Sequence, residues 1–348
     1  MPAFNPEMVV LARELAGLTQ GELARRVNVS QGEISKVEGG VRPPSEILLA
    51  ALSNELRCPT EFFFLSDPIR NFGSSCVYHR KRQSTPQKVL GRLLALVNKR
   101  RIQIKRLLKS VEVNDNLFPR IDVDEQFGNA AEVARMVRAA WKLPPGPLQN
   151  LTTAIEDAGG LVIRCEFGTN KVDAFSQWLP DMPPLFFVNV TIPADRVRFS
   201  LAHEIGHIVM HQLPTDDMER EADRFAAEFL MPESSVRPDL IDVSLPRLAV
   251  LKPKWKVSMA ALLKRAGDLE VITPRTKNYL WFRMGSQGYR LQEPVSIPHE
   301  EPRLLREIID LHRTDLAYSV ENLARLLVCT EDEVRSDFLQ PQTGLRLV

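Results

Sequence analysis

The chain has 348 residues, 44% of them hydrophobic, and its 45 Lys and Arg nearly balance 44 Asp and Glu for a formal net charge of +1. That length suffices for two or three packed domains. No apolar run approaches the roughly 18 residues a membrane span needs, and no basic-then-apolar leader opens the chain, so a cytoplasmic protein with no membrane partner is expected. Cys58, Cys76, Cys165 and Cys329 are widely scattered, which argues against a disulfide scaffold or a thiolate zinc site. The near-neutral total conceals segregation: residues 71–110 carry eleven Lys and Arg and no acid, whereas 151–235 carry six against fourteen.

Residues 6–65 predict five short helices. Leu11, Leu15 and Leu18 mark the first, and Thr19 caps the second, from Gln20 to about Val27. Asn28-Val29 turns the chain. Ser30, with Glu33 three residues on, has the signature of a capping box on the third helix. Pro43-Pro44-Ser45 opens the fourth, and Pro59 the fifth. Two short helices joined by a tight turn, the second presenting polar residues at its start, form a DNA-reading arrangement. Gln31, Glu33, Ser35 and Lys36 would face the major groove, Gln20 a phosphate, and Arg42 the DNA just beyond the recognition helix. The stretches Gly17 to Ala24 and Val29 to Gly40 resemble the XRE (Cro/CI-type) helix-turn-helix fold. Residues 1–70 are nevertheless slightly acidic, with seven basic against nine acidic residues, although non-specific DNA affinity is largely electrostatic.

The missing positive charge lies next door. His79-Arg80-Lys81-Arg82 precedes a helix expected from Pro86 to Leu108, with leucines on one face and Arg92, Lys99, Arg100, Arg101, Lys105, Arg106 and Lys109 on the other. Three readings stay open: a solvated face, a contact to DNA backbone made by Arg80, Lys81, Arg82, Arg100 and Arg101, or docking on the acidic later domain.

Helices are then expected over 129–141 and 148–158, followed by strands 161–167, 174–179 and 185–190 in a small antiparallel sheet. Phe186 to Val190 is either an edge strand able to pair with an extended substrate or a core strand.

His203-Glu204-Ile205-Gly206-His207 carries the clearest chemistry. Histidines four apart on a helix share a face, so two imidazoles can meet one metal, and Glu204 beside them can serve as general base for a water whose pKa the metal lowers to about 7. Met210 and Leu213 stand where a metzincin needs Gly and His, so the third ligand must come from elsewhere. A second helix, Met218 to Leu230, places Glu219, Ala222 and Ala226 on one face: Glu219 can ligate while Ala222 admits close packing. Asp223 is placed to accept the outer N–H of a ligating histidine. Glu221, pointing roughly 200 degrees from Glu219, is the rejected rival ligand.

Arg198 to His207, followed by Glu219 to Pro232, resembles the ImmA/IrrE family of metallopeptidases. The similarity runs from Gly160 to about Pro238 and includes Asp173-Ala174-Phe175-Ser176, which is similar to the loop before the family's substrate-side strand. The resemblance implies zinc at His203, His207 and Glu219, a general base at Glu204, and a helix-turn-helix repressor as substrate.

Beyond Pro232, helices are expected at 257–265, 303–312, 320–328 and 331–338, with a hairpin over Tyr279 to Met284 and Tyr289 to Gln292. The expected fold is mainly α, α+β overall: a five-helix helix-turn-helix domain (1–70), a basic helical connector (71–127), a zincin-like α+β metallopeptidase domain (128–270) and a mixed hairpin and helical C-terminal part (271–348). The expected function is a DNA-binding regulator, dimeric because one such module reads a half-site, that cuts a repressor or itself. The alternative is a non-proteolytic repressor or antitoxin whose metal is structural or sensory.

Overall fold

A computed structural model describes residues 3–70, 86–112, 115–123, 125 and 129–339. Arg80, Lys81 and Arg82, for which a DNA contact is one of the open readings, lie outside the described residues, as does Cys76. The described chain forms two compact units, the first from residues 3–70, 86–112 and 304–339, the second from 115–303.

The first unit opens with α1 (Pro6–Leu15), α2 (Gln20–Arg26), α3 (Gln31–Glu38) and α4 (Glu46–Leu56). The expected fifth helix is a 3-10 turn, Thr60–Phe64. Asn5, Thr19, Ser30 and Ser45 each accept a backbone N–H at a helix start, relieving the unpaired amides there. The reciprocal capping box forms at Thr19 and Glu22. At Ser30 it is only half made, because the Glu33 carboxylate pairs with Arg42 instead. Met8, Leu23, Ile34, Leu52 and Phe63 build the core.

The predicted basic helix is α5 (Gln87–Leu107), which packs along α1. Its polar face is partly internal. Asn98 is fully buried and bridges the backbone N–H and C=O of Arg70 at 2.8 Å each. Arg101, 2% exposed, donates to the Pro68 carbonyl. Of the three readings left open for this face, neither solvation nor a DNA contact suits Arg101, which is interior, and Arg100 pairs with Asp337.

The second unit begins with α6 (Ala130–Ala140) and α7 (Leu151–Asp157), capped by Asn129 and Asn150. Strands β1 (Leu161–Cys165), β2 (Ala174–Gln177) and β3 (Leu185–Asn189) form a sheet of order β1-β3-β2. The sheet is mixed rather than antiparallel: β1 runs parallel to β3, with Leu161 opposite Leu185, and β2 runs antiparallel, with Ala174 opposite Val188. The chain leaves β1, crosses to the far side, and returns between the two. Phe186 to Val190 is therefore not an edge, and the unbroken apolar run Leu185 to Val188 is what a strand covered on both faces requires. β2 is the edge beside the following helices.

These are α8 (Ala194–Met210), α9 (Met218–Leu230), α10 (Glu233–Val236), α11 (Leu245–Trp255), α12 (Met259–Asp268) and α13 (Pro274–Ser286). The expected hairpin is instead α13. Thr273 accepts the Thr276 N–H, Pro274 occupies the first turn, and Leu280 and Met284, four apart, are its buried positions. The stretch after it is held within this unit by two carboxylates. Glu293 accepts from Lys252 and from the Met259 and Ala260 amides at the start of α12, and Glu300 accepts from Arg198 and the Thr152 amide.

The C-terminal part expected as one domain thus divides at Arg303. From α14 (Leu304–Thr314) through α15 (Val320–Leu327) and α16 (Glu331–Val334) the chain rejoins the first unit, and Val328 enters its core. Glu333 accepts from Lys99 at 2.6 Å and Gln103 at 2.9 Å, so the basic helix meets acids more than 200 residues away.

Breaking that contact leaves a largely buried carboxylate. Gln103 and Arg100 still reach Glu333, so Lys99→Met should cost about 2 kcal/mol rather than the roughly 3–5 of a fully orphaned buried charge. Urea unfolding followed by circular dichroism measures it, and Lys99→Met combined with Glu333→Leu should recover most of the loss.

Candidate metal centre

Two helices carry the residues singled out in the sequence, and their closeness has a local cause. A Cβ on Gly206 would stand 3.2 Å from the Phe225 ring and 3.3 Å from Ala222 Cα. Glycine on α8 against a fully buried alanine on α9 lets the backbones approach, which brings Glu219 to the histidines.

His203 Nε2 and His207 Nε2 are 3.0 Å apart. Glu219 lies 3.8 Å from the first and 3.6 Å from the second, and the three donor atoms all fall within 4.8 Å of one another. Tetrahedral zinc, with bonds of 2.0–2.1 Å, needs ligand atoms roughly 3.3 Å apart. The observed separations bracket that value, so these residues fit a zinc ion.

The outer nitrogens explain why the inner ones face each other. His203 Nδ1 is 3.0 Å from Asp223 Oδ1, and Asp223 Oδ2 accepts from Lys264 at 3.2 Å. His207 Nδ1 is 2.9 Å from His211 Nδ1, and His211 Nε2 is 3.1 Å from Glu221 Oε2. A carboxylate can only accept, so His211 donates to Glu221 through Nε2, its Nδ1 accepts from His207, and His203 donates to Asp223. Both inner Nε2 atoms then carry lone pairs, and two lone pairs at 3.0 Å call for a cation between them.

The electrostatics agree. Burial, reinforced by the flanking imidazoles, holds His207 neutral well below the usual histidine range. Burial also lowers His211, partly offset by Glu221. Burial works against ionising Asp223, but the His203 and Lys264 contacts outweigh it and bring its pKa to about 2.

Glu204 is 2% exposed and accepts from Ser176 Oγ of the edge strand at 2.7 Å. Sequence reasoning missed His211, although it continues the four-residue step from His207. It also set Glu221 aside, and had no signal for Lys264. Glu221 is no metal ligand, yet it ends the hydrogen-bond chain behind one.

In the first unit, Gln31, Ser35, Lys36 and Arg42 are exposed on or just after α3, and Glu33 is paired to Arg42. Gln20 is turned inward: its amide donates to Glu38 at 2.8 Å, beside the Arg13–Glu38 pair.

Residues 155–266 match the profile of the IrrE N-terminal-like domain, a peptidase family, and residues 11–63 match that of a helix-turn-helix domain. No curated protein matches the chain. The chain thus joins a helix-turn-helix domain to an IrrE-like peptidase domain, and among its described residues no helix is long and apolar enough to cross a membrane.

Two outcomes are expected. In the metal-free protein, His207 stays neutral when folded but titrates near 6.5 when unfolded. The unfolded chain therefore binds more protons below that pH. The resulting stability is present above about 6.5 and declines as pH falls toward the depressed folded value; His211 acts in the same sense. The Tm should drop from about pH 7 to about pH 5, and less steeply in His207→Gln. Second, Gly206→Val should cost about 1–3 kcal/mol by overpacking and separate α9 from α8, lowering the zinc retained per chain on dialysis.

Proposed function

We propose that this chain is a DNA-binding transcriptional regulator whose second unit is a zinc-dependent endopeptidase, acting on a helix-turn-helix repressor or on a copy of itself. The observation that carries the reading is the convergence of His203, His207 and Glu219 beside a buried Glu204. Zinc held by those three residues supplies Lewis acidity at a scissile peptide carbonyl and acidifies a water there.

The chain's own residues do the rest. Glu204 takes the water's proton and returns it to the leaving amine, a division of labour that needs one carboxylate facing both. Ser176 fixes the Glu204 carboxylate by donating to one of its oxygens at 2.7 Å. Asp223 and the His211–Glu221 pair orient the two imidazoles. An extended substrate adds to β2, the edge strand that carries Ser176, so its backbone is delivered next to Glu204.

In the first unit, Gln31, Ser35 and Lys36 read base edges, and Arg42 reaches the duplex once released from Glu33. Gln20, occupied by Glu38, serves the packing of the module. One module reads one half-site, so the regulator works as a homodimer. The deep burial of Glu204 also supports a second reading, in which the metal is sensory and the site never turns over.

Glu204→Gln separates the two readings. It should keep about one zinc per chain while cleavage of the partner repressor falls by about 10²–10⁴. If the variant cuts, or regulates its promoter as the parent does, the peptidase reading is wrong.

A further inference from the structure

The second unit contains a cavity of about 1140 Å³ that neither the zinc ligands nor Glu204 lines. Its walls combine aromatic rings with cations: Phe199 from α8, Lys264 from α12, Lys277 and Trp281 from α13, and Tyr289 and Arg290 just beyond. Some of the cavity's cations are already committed. Lys252 is held by Asp195 and Glu293, Arg196 by Asp173, and Arg265 by Glu228.

Three others have capacity left. Lys264, with half its side chain exposed, shares Asp223 at 3.2 Å, and Lys277 is 3.6 Å from Asp268. Arg290 lies over the Trp281 ring, 5.1 Å from its centroid, and meets no carboxylate among the described residues. Lys277 crosses Gly267, where a Cβ would stand 2.5 Å from its side chain, so the glycine keeps room for it. The sequence shows the same bias: residues 271–292 hold four Lys or Arg and four aromatics but no Asp or Glu.

We propose that this cavity binds a nucleotide-sized organic anion with a planar ring, a nucleoside diphosphate being the class that fits. An uncharged apolar ligand has no use for three cations, and inorganic phosphate has none for the rings. A small aromatic acid would leave much of the volume empty, since pockets of roughly 300–1,000 Å³ enclose ligands of drug size. The base stacks against Trp281 and Tyr289, and the phosphates take Lys264, Lys277 and Arg290.

The site has a physical path to the metal centre, and this step rests on the peptidase reading above. Lys264 contacts Asp223, which holds His203. Phosphates that draw Lys264 away leave Asp223 a stronger acceptor for the His203 N–H, making that imidazole a better ligand. Nucleotide should therefore tighten zinc, and zinc should tighten nucleotide by the same factor.

Calorimetry of the full chain with ADP, adenosine and inorganic phosphate tests the site whether or not the protein cuts anything. ADP should bind, with adenosine and phosphate each weaker by about tenfold or more. Trp281→Ala and Lys277→Ala should each weaken ADP by about tenfold at unchanged zinc content. Chelator competition should show zinc held several-fold tighter with ADP, an effect absent in Lys264→Ala. Three results would overturn the proposal: no ADP binding at millimolar concentration, ADP binding indifferent to both substitutions, or a short poly-Glu peptide binding more tightly than ADP. Glu204→Gln should bind ADP as the parent does, so loss of cleavage and loss of the nucleotide site are told apart.

Discussion

The metal centre depends on one steric fact, that nothing larger than glycine at 206 and alanine at 222 separates α8 from α9. Histidines four apart on a helix can always share a face, but a third ligand must arrive from a second backbone at short range. At that crossing α8 contributes only a hydrogen, and α9 the Ala222 methyl beside the Phe225 ring. Larger side chains there would hold the helices apart by more than a carboxylate of Glu219's length can span. The close approach of Glu219 to the two histidines thus rests on two residues with no functional group.

Around that crossing the polar groups are ordered by a second constraint, that every buried proton needs an acceptor. The two imidazoles of the candidate site each hand their outer N–H to a chain that ends in a carboxylate, Asp223 for His203 and Glu221 through His211 for His207. These contacts set the tautomers, so the inner nitrogens present lone pairs to each other. Of the acidic residues of α9, Glu219 faces the two histidines, Asp223 meets His203 and Lys264, Glu221 meets His211, and Glu228 pairs with Arg265.

Much of this was legible locally. The four-residue spacing of His203 and His207, the Glu219–Ala222–Ala226 face and the position of Asp223 follow from helix geometry, and the Thr19 and Ser45 caps from their residue types. What failed was decided at a distance or by end effects. His211 continues the four-residue step from His207 but ends α8 with a non-helical backbone, so that step alone did not place its ring between His207 and Glu221. Glu221 was set aside by its angle from Glu219, which says nothing about a partner beyond the helix end. In α13 the aromatic residues suggested strands, yet Thr273 and Pro274 set a helix. The order of the sheet hinged on a strand crossing that three apolar runs do not encode, and the pairing of α5 with Glu333 joins residues more than 200 positions apart.

The first unit is built from both ends of the chain, with α5 and Glu333 as one seam between them. In chain order the IrrE-like unit is inserted between segments of the unit that carries the helix-turn-helix domain. The module's N- and C-terminal parts are held by side-chain contacts and not only by the intervening chain, contacts that a single nick within the insertion does not itself remove. There is a thermodynamic counterpart. An unfolded insertion is a long loop whose closure opposes the seam, and ordering it lessens that entropic load. Any ion or molecule that stabilises the insertion then steadies the DNA-reading module through chain connectivity alone.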